Sequence, residues 1–187
     1  MTLRGGEPLT WNVAGLLSEL PGAARTYRVA AVTVDLGEDL RLADPIEGDV
    51  RLARTNRGLL VEADLTASLD ALCSRCLLEI EVPVEIHLET EALPTLDIAT
   101  GLPVDQSAEP DALRLTDHHE LDLESEVREA IQLAEPIAPL CEAACPGLCT
   151  VCGERLTGPP HDHGDEEIDP RLAALKGFLV DAETETR

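Results

Sequence analysis

At 187 residues the chain has room for one ordinary domain, or one domain with a small appendage. Hydrophobic residues make up 44% of it and aromatic ones only 2% (Trp11, Tyr27 and Phe178), so its core must be aliphatic and buries less area per residue than an aromatic core. The net charge is −23, and residues 77–187 hold 6 basic against 26 acidic groups, a balance that excludes nucleic-acid binding by phosphate neutralisation in that part of the chain.

Residues 10–20 are expected to form a short helix: Leu16, Leu17 and Leu20 can share a face, and Pro21-Gly22 stops it. Residues 27–36 alternate and are rich in β-branched side chains, which predicts a strand. Two further strands, 46–55 and 58–69, meet at Asn56-Arg57-Gly58, where a hairpin with glycine at a positive-φ position fits. Residues 80–88 alternate strongly, with Ile80, Val82, Val84, Ile86 and Leu88 on one face, and Pro83 suggests an edge strand. Residues 94–116 show no sustained period and are expected to be a loop. A helix is predicted over 121–134, with Leu123, Val127, Ala130, Ile131 and Ala134 on one side and Pro136 ending it. Asp169-Pro170 opens a last short helix to about residue 180, since proline suits a first helical position. The expected fold class is therefore α+β, a mainly antiparallel sheet with two or three helices. The expected layout is an α+β domain over 1–136, a cysteine- and histidine-rich zinc-binding segment with the terminal helix over 137–180, and a tail over 181–187.

All six cysteines fall in closely spaced pairs: Cys73 and Cys76 (C-x2-C), Cys141 and Cys145 (C-x3-C), Cys149 and Cys152 (C-x2-C) with Gly153 next. His161 and His163 lie just beyond. A two-residue spacing lets one tight turn aim both thiolates at a single metal, and tetrahedral zinc takes four N or S donors. Eight donors suffice for two such sites. Cys149, Cys152, His161 and His163 are near neighbours, which leaves Cys73 and Cys76 to meet Cys141 and Cys145 across the chain. One zinc instead of two, a disulfide framework, and redox chemistry at Cys73-Ser-Arg-Cys76 are the alternatives. Arg75 would favour a low thiol pKa there, but strand-like sequence flanks the pair where thioredoxin-like chemistry wants a βαβ unit. A thiol-rich, closed ligand set points to structural sites over catalytic ones.

The other chemistry-bearing groups are few. Arg51, Arg54 and Arg57, with Arg75 nearby, form the one basic concentration. They read as a salt-bridged surface or, if RNA touches the chain, as its contact. Glu126, Glu129 and Glu135 face solvent or belong to an acidic docking surface, and His118-His119 reads as loop. No phosphate-binding glycine loop and no nucleophile elbow occurs, and no small-molecule substrate is expected. No apolar run approaches the roughly 20 residues that span a bilayer. The N-terminus, with one arginine, two glycines and an acid before its first apolar stretch, is a poor signal peptide. A cytoplasmic location follows as the expectation, in which clustered cysteines favour metal over disulfides. The acidity would attract a basic protein or simply keep the chain soluble.

Three stretches carry a family resemblance: Gly58-Leu-Leu-Val-Glu-Ala-Asp-Leu running into Cys73-Ser-Arg-Cys76-Leu; Leu121-Asp-Leu-Glu-Ser-Glu-Val-Arg-Glu-Ala-Ile-Gln-Leu-Ala-Glu-Pro136; and Pro139-Leu-Cys141 through Cys145-Pro-Gly-Leu-Cys149-Thr-Val-Cys152-Gly153, with Ile168-Asp-Pro-Arg-Leu172 behind. Together they resemble the DUF177 (YceD) family. The resemblance implies a non-enzymatic role in accumulation of large-subunit ribosomal RNA and in ribosome assembly. The implied partners are a basic ribosomal protein, the large-subunit RNA, or its precursor particle. Many relatives close the C-terminal motif with a C-x-C pair, where this chain has His161-Asp-His163.

Overall fold

The computed structural model describes residues 9–38, 40–105, 109–110, 112–158, 162–163 and 171. Its elements run β1 (Thr10–Asn12), α1 (Ala14–Leu17), β2 (Ala24–Val32), β3 (Leu42–Arg54), β4 (Leu59–Leu72), β5 (Glu79–Leu93), β6 (Leu113–Arg114), β7 (Glu120–Asp122) and α2 (Glu124–Ala134). Strands β2 to β5 form an antiparallel meander, and β6 joins β5 in parallel to give the order β2-β3-β4-β5-β6. The fold is α+β with a mainly antiparallel sheet, as the sequence predicts.

Alternation dictates which face is buried. Along β4, Leu59, Val61, Ala63, Leu65, Ala67 and Leu69 are all buried, while Asp64 and Thr66 between them and Asp70 after them are exposed. Because the side-chain period is two, a slip of one residue would put that whole set in water, so the register is strongly specified. Helix α2 lays Val127 and Ile131 into the same core and packs beside β5. Glu124 and Glu126 lie in its first turn, where carboxylates suit the helix dipole.

Several expectations change in detail. The predicted helix over 10–20 shrinks to one turn, because Trp11 pairs across to Leu121 and makes the preceding residues a strand. Leu20, expected on the apolar face, is 84% exposed. The same pairing delays the start of α2 from 121 to 124. Strand β2 stops at Val32 after a bulge in which Ala31 has φ 55°. Gly58 has no positive φ. Its need for glycine is steric, since a Cβ there would lie 2.2 Å from the Ala92 carbonyl oxygen. The stretch 94–116 contains β6 and the buried Leu115. Pro83 does lie on an edge, as β6 meets β5 only at Ala92 and Leu93. The rings of Trp11 and Tyr27 pack tilted by 44°, with centroids 5.8 Å apart. The predicted helix over 170–180 and the tail lie outside the described residues. No helix among the described residues is long and apolar enough to cross a membrane.

Candidate metal centres

The β4–β5 connection is the six-residue turn 73–78. It closes with two backbone bonds: Cys73 N–H to the Leu78 carbonyl at 2.8 Å, and Leu77 N–H to the Cys73 carbonyl at 2.9 Å. The turn requires a positive φ at its fifth residue, and Leu77 supplies it at 55°. Into this turn comes the segment that follows α2. Ser74 N–H bonds the Pro139 carbonyl at 2.8 Å, which delivers Cys141 and Cys145 to the two cysteines of the turn.

Cys73, Cys76, Cys141 and Cys145 then lie with all four sulfurs within 4.8 Å of one another, three of the residues buried. The Sγ–Sγ distances are 3.8 Å for Cys73–Cys145 and 3.7 Å for Cys76–Cys141. A tetrahedron with metal–sulfur bonds of about 2.3 Å has edges of about 3.8 Å. A disulfide would need about 2.05 Å, and none of the six cysteines is in a disulfide. The four residues therefore fit a tetrahedrally coordinated metal ion.

Acid–base chemistry points the same way. Amide N–H groups of Cys141 and Cys76 aimed at the Cys73 sulfur hold its thiol down at about 6. The neighbouring Cys145 side chain and then burial push Cys141 up to about 12, and burial raises Cys145. Without a cation the surroundings favour the Cys73 thiolate and oppose ionisation of Cys141 and Cys145. A bound divalent cation supplies the charge that a fully ionised set needs.

A second group consists of Cys149, Cys152 and His163, whose ligand atoms also lie within 4.8 Å of one another. Cys149 Sγ is 3.2 Å from His163 Nε2. The expected fourth ligand, His161, lies outside the described residues. This group is half-buried to exposed. It is carried on a turn of the same design: Cys149 N–H bonds the Glu154 carbonyl at 2.7 Å, and Gly153 N–H bonds the Cys149 carbonyl at 2.9 Å. Here Gly153 takes the positive φ, at 75°.

Three supporting residues escape sequence reasoning. Arg155, carried by the second turn, donates to the carbonyls of Cys76 and Leu77 at 3.0 Å each, so the second turn holds the first. Gly147, at φ 84°, passes so close to the Arg75 carbonyl that a Cβ would lie 3.3 Å from its oxygen. Pro139 provides the carbonyl that anchors Ser74. Each acts on or through a backbone carbonyl, which leaves no spacing signature.

The four arginines of the basic concentration are engaged inside the molecule. Arg51 ion-pairs with Glu62 across β3 and β4. Arg54 donates to the carbonyls of Leu17, Thr55 and Gly58. Arg57 bridges Glu91 and Glu109, bonds that raise its own pKa and lower that of Glu91. Arg75 donates to the Cys145 carbonyl at 3.0 Å. The carbonyls of His118 and His119 hold Asn12 and Val13 beside β7.

An aliphatic antiparallel sheet whose central hairpin is tied by thiols to a cysteine-rich C-terminal segment defines a class of small α+β proteins with closed, metal-competent centres. Within that class the chain belongs to the YceD family. The family model described as "Large ribosomal RNA subunit accumulation protein YceD" matches residues 61–179. An uncharacterized protein of Mycobacterium tuberculosis is 35% identical over 176 residues, covering 92% of this chain and 82% of the relative. An uncharacterized protein of Mycobacterium leprae is 33% identical over 137 residues, 73% of this chain and 60% of the relative. A shorter match, 36% over 56 residues, covers 30% of this chain and 17% of an Arabidopsis thaliana protein named "Large ribosomal RNA subunit accumulation protein YCED homolog 1, chloroplastic". No solved structure matches this chain.

Proposed function

We propose that this chain is a non-enzymatic, cytoplasmic factor that supports large-subunit ribosomal RNA accumulation by holding a basic ribosomal protein on its acidic surface. Family membership and the Arabidopsis relative's name support the ribosomal part of this reading. One observation carries the rest. Glu81, Glu85 and Glu89 on β5 and Glu126 and Glu129 on α2 have no ion-pair partner among the described residues. Such uncompensated charge attracts a cationic partner over a distance set by the Debye length. Pull-down from lysate at rising salt tests it: basic ribosomal proteins should be enriched at low salt and lost by about 0.5 M, where screening is severe. Enrichment that does not weaken with salt would remove the electrostatic basis.

In this reading the metal is zinc and its role is structural. Four thiolates at tetrahedral spacing suit zinc and leave no open position for substrate. Elemental analysis under reducing conditions should find one zinc per chain if only the Cys73 centre fills, and two if Cys149, Cys152, His163 and His161 fill as well. Iron or no metal would overturn the assignment. Direct RNA contact through Arg51, Arg54, Arg57 and Arg75 would compete with the ion pairs and carbonyl bonds those side chains already make. Thiol exchange at Cys73 would require an external thiol to reach a sulfur on a fully buried residue.

A further inference from the structure

Strand β5 is bonded to β4 along its length, but β6 meets its other side only at Ala92 and Leu93. Over residues 79–91 that side has no strand neighbour among the described residues. The register tells which backbone groups it presents. Pro83 lacks an N–H, so it fits opposite Ser68 only where an N–H would point away from β4. Backbone groups alternate sides along a strand, so Glu85, His87 and Glu89 direct their N–H and C=O outward as well. The far end agrees: Leu93, an even number of residues on, gives its carbonyl to Leu115 N–H on the β6 side at 3.0 Å.

A groove of about 500 Å³ lies against this edge, lined by residues 85–90 and by Glu126, Glu129, Ala130 and Leu133 of α2. Consecutive strand residues point to opposite faces, so all six can line one groove only if it runs along the strand's edge. Its two walls differ in chemistry. On the α2 side stand Ile86, Leu88, Ala130 and Leu133, the last 81% exposed although apolar, with Glu126 and Glu129 at the rim. On the solvent side stand Glu85 and Glu89, with His87 between them ion-paired to Asp64; neither glutamate forms an ion pair with lysine or arginine among the described residues.

We propose that this edge and α2 together receive an extended segment of a basic protein, which adds to the sheet as a further strand beside residues 85–89. The inference rests on the acidic-surface reading and specifies its site and occupant. An added strand places alternate side chains on the two walls. The segment that fits therefore alternates apolar residues, which cover Leu133 and Ala130, with lysine or arginine, which face Glu85 and Glu89. Main-chain bonds to residues 85, 87 and 89 give affinity, and the two walls give register.

The test uses the full chain and a short fluorescein-labelled peptide alternating lysine with valine. Two further versions carry N-methyl groups on every second amide, one in each register, which leaves charge unchanged and removes donors from one side. The parent peptide should bind. Methylation in one register should weaken it by about tenfold or more, and methylation in the other should matter little, since a strand bonds its neighbour through one side only. E85K/E89K should weaken the parent about tenfold or more, and His87→Pro should do likewise while sparing the β4 ladder. Because the methylated peptides act on the unaltered chain, misfolding of a variant cannot mask the result. Equal binding of all three peptides overturns strand addition while leaving an acidic docking surface. Failure of every lysine peptide to bind, with a single-stranded RNA oligonucleotide binding instead, overturns both.

Discussion

The turns 73–78 and 149–154 close with the same pair of backbone bonds, each with a left-handed fifth residue, and they differ in everything around that frame. The first is continuous with the two longest strands and meets a second cysteine pair beneath the surface. The second closes on one isolated bridge, between Leu148 and Arg155, is joined to the first by the Arg155 side chain, and keeps its ligands half-buried or exposed. One local design thus serves two purposes. A buried centre with ligands from distant parts of the chain adds its metal-binding free energy to global folding. An exposed centre with near-neighbour ligands orders mainly its own loop.

The largest consequence of that contrast falls on Cys145→Ser. Cys145 is 2% exposed and its sulfur lies 3.8 Å from that of Cys73. Its loss leaves three thiolates and a buried hydroxyl. Structural zinc contributes about 10–16 kcal/mol in apparent terms, against a domain margin of about 5–15 kcal/mol. The variant should lose that metal and its cooperative thermal unfolding. A folded, cooperatively melting Cys145→Ser protein would show that the buried centre is not the scaffold.

Next in size is Arg155→Ala, which cuts the two bonds from the second turn to the Cys76 and Leu77 carbonyls. Partly exposed charged bonds of this kind contribute about 1–2 kcal/mol together, a fall of about 2–8 °C in melting temperature for a chain this size. Metal release from the buried centre to a chelator should quicken as well. The smaller effect of Cys152→Ser sharpens the point. It should remove metal from the exposed centre only and lower melting by less than Arg155→Ala does. If Arg155 is the main link, Cys152→Ser should add little in the Arg155→Ala background, which a double-mutant cycle measures.

How far these two centres could be read without coordinates follows from the reach of each signal. Local periodicity located the β3–β4 hairpin and α2, because burial of one face imposes a period that survives in sequence. The pairing of Trp11 with Leu121 left none, as β1 and β7 are three residues each and lie far apart along the chain. Cysteine spacing marked both turns. Counting donors suggested which pairs belong together, and the geometry brings Cys73, Cys76, Cys141 and Cys145 into one group. Arg155, Gly147 and the Pro139 carbonyl were invisible because they act on backbone groups. The open β5 edge was foreshadowed by Pro83 alone, and its groove depends on where α2 packs.

The smallest effect tests whether the two turns share a frame. Leu77 holds φ 55° with its side chain about half exposed, in the place where the second turn has Gly153 at 75°. A left-handed conformation costs a non-glycine residue about 1–2 kcal/mol, and replacing it with glycine returns that strain. Glycine also loses about 0.5–1 kcal/mol more backbone entropy on folding. Leu77→Gly should therefore be neutral or stabilising by up to about 1 kcal/mol, a shift of no more than about 4 °C in melting temperature. Gly153→Ala should run the other way. A Cβ there meets nothing within 4 Å among the described residues, so the conformational penalty dominates, and metal should leave the exposed centre faster. Calorimetry of the first variant and chelator kinetics of the second check the pair. If Leu77→Gly destabilised by more than about 2 kcal/mol, strain would not govern that position. The leucine side chain would then be packed in solution, and the turns would be alike in hydrogen bonding only.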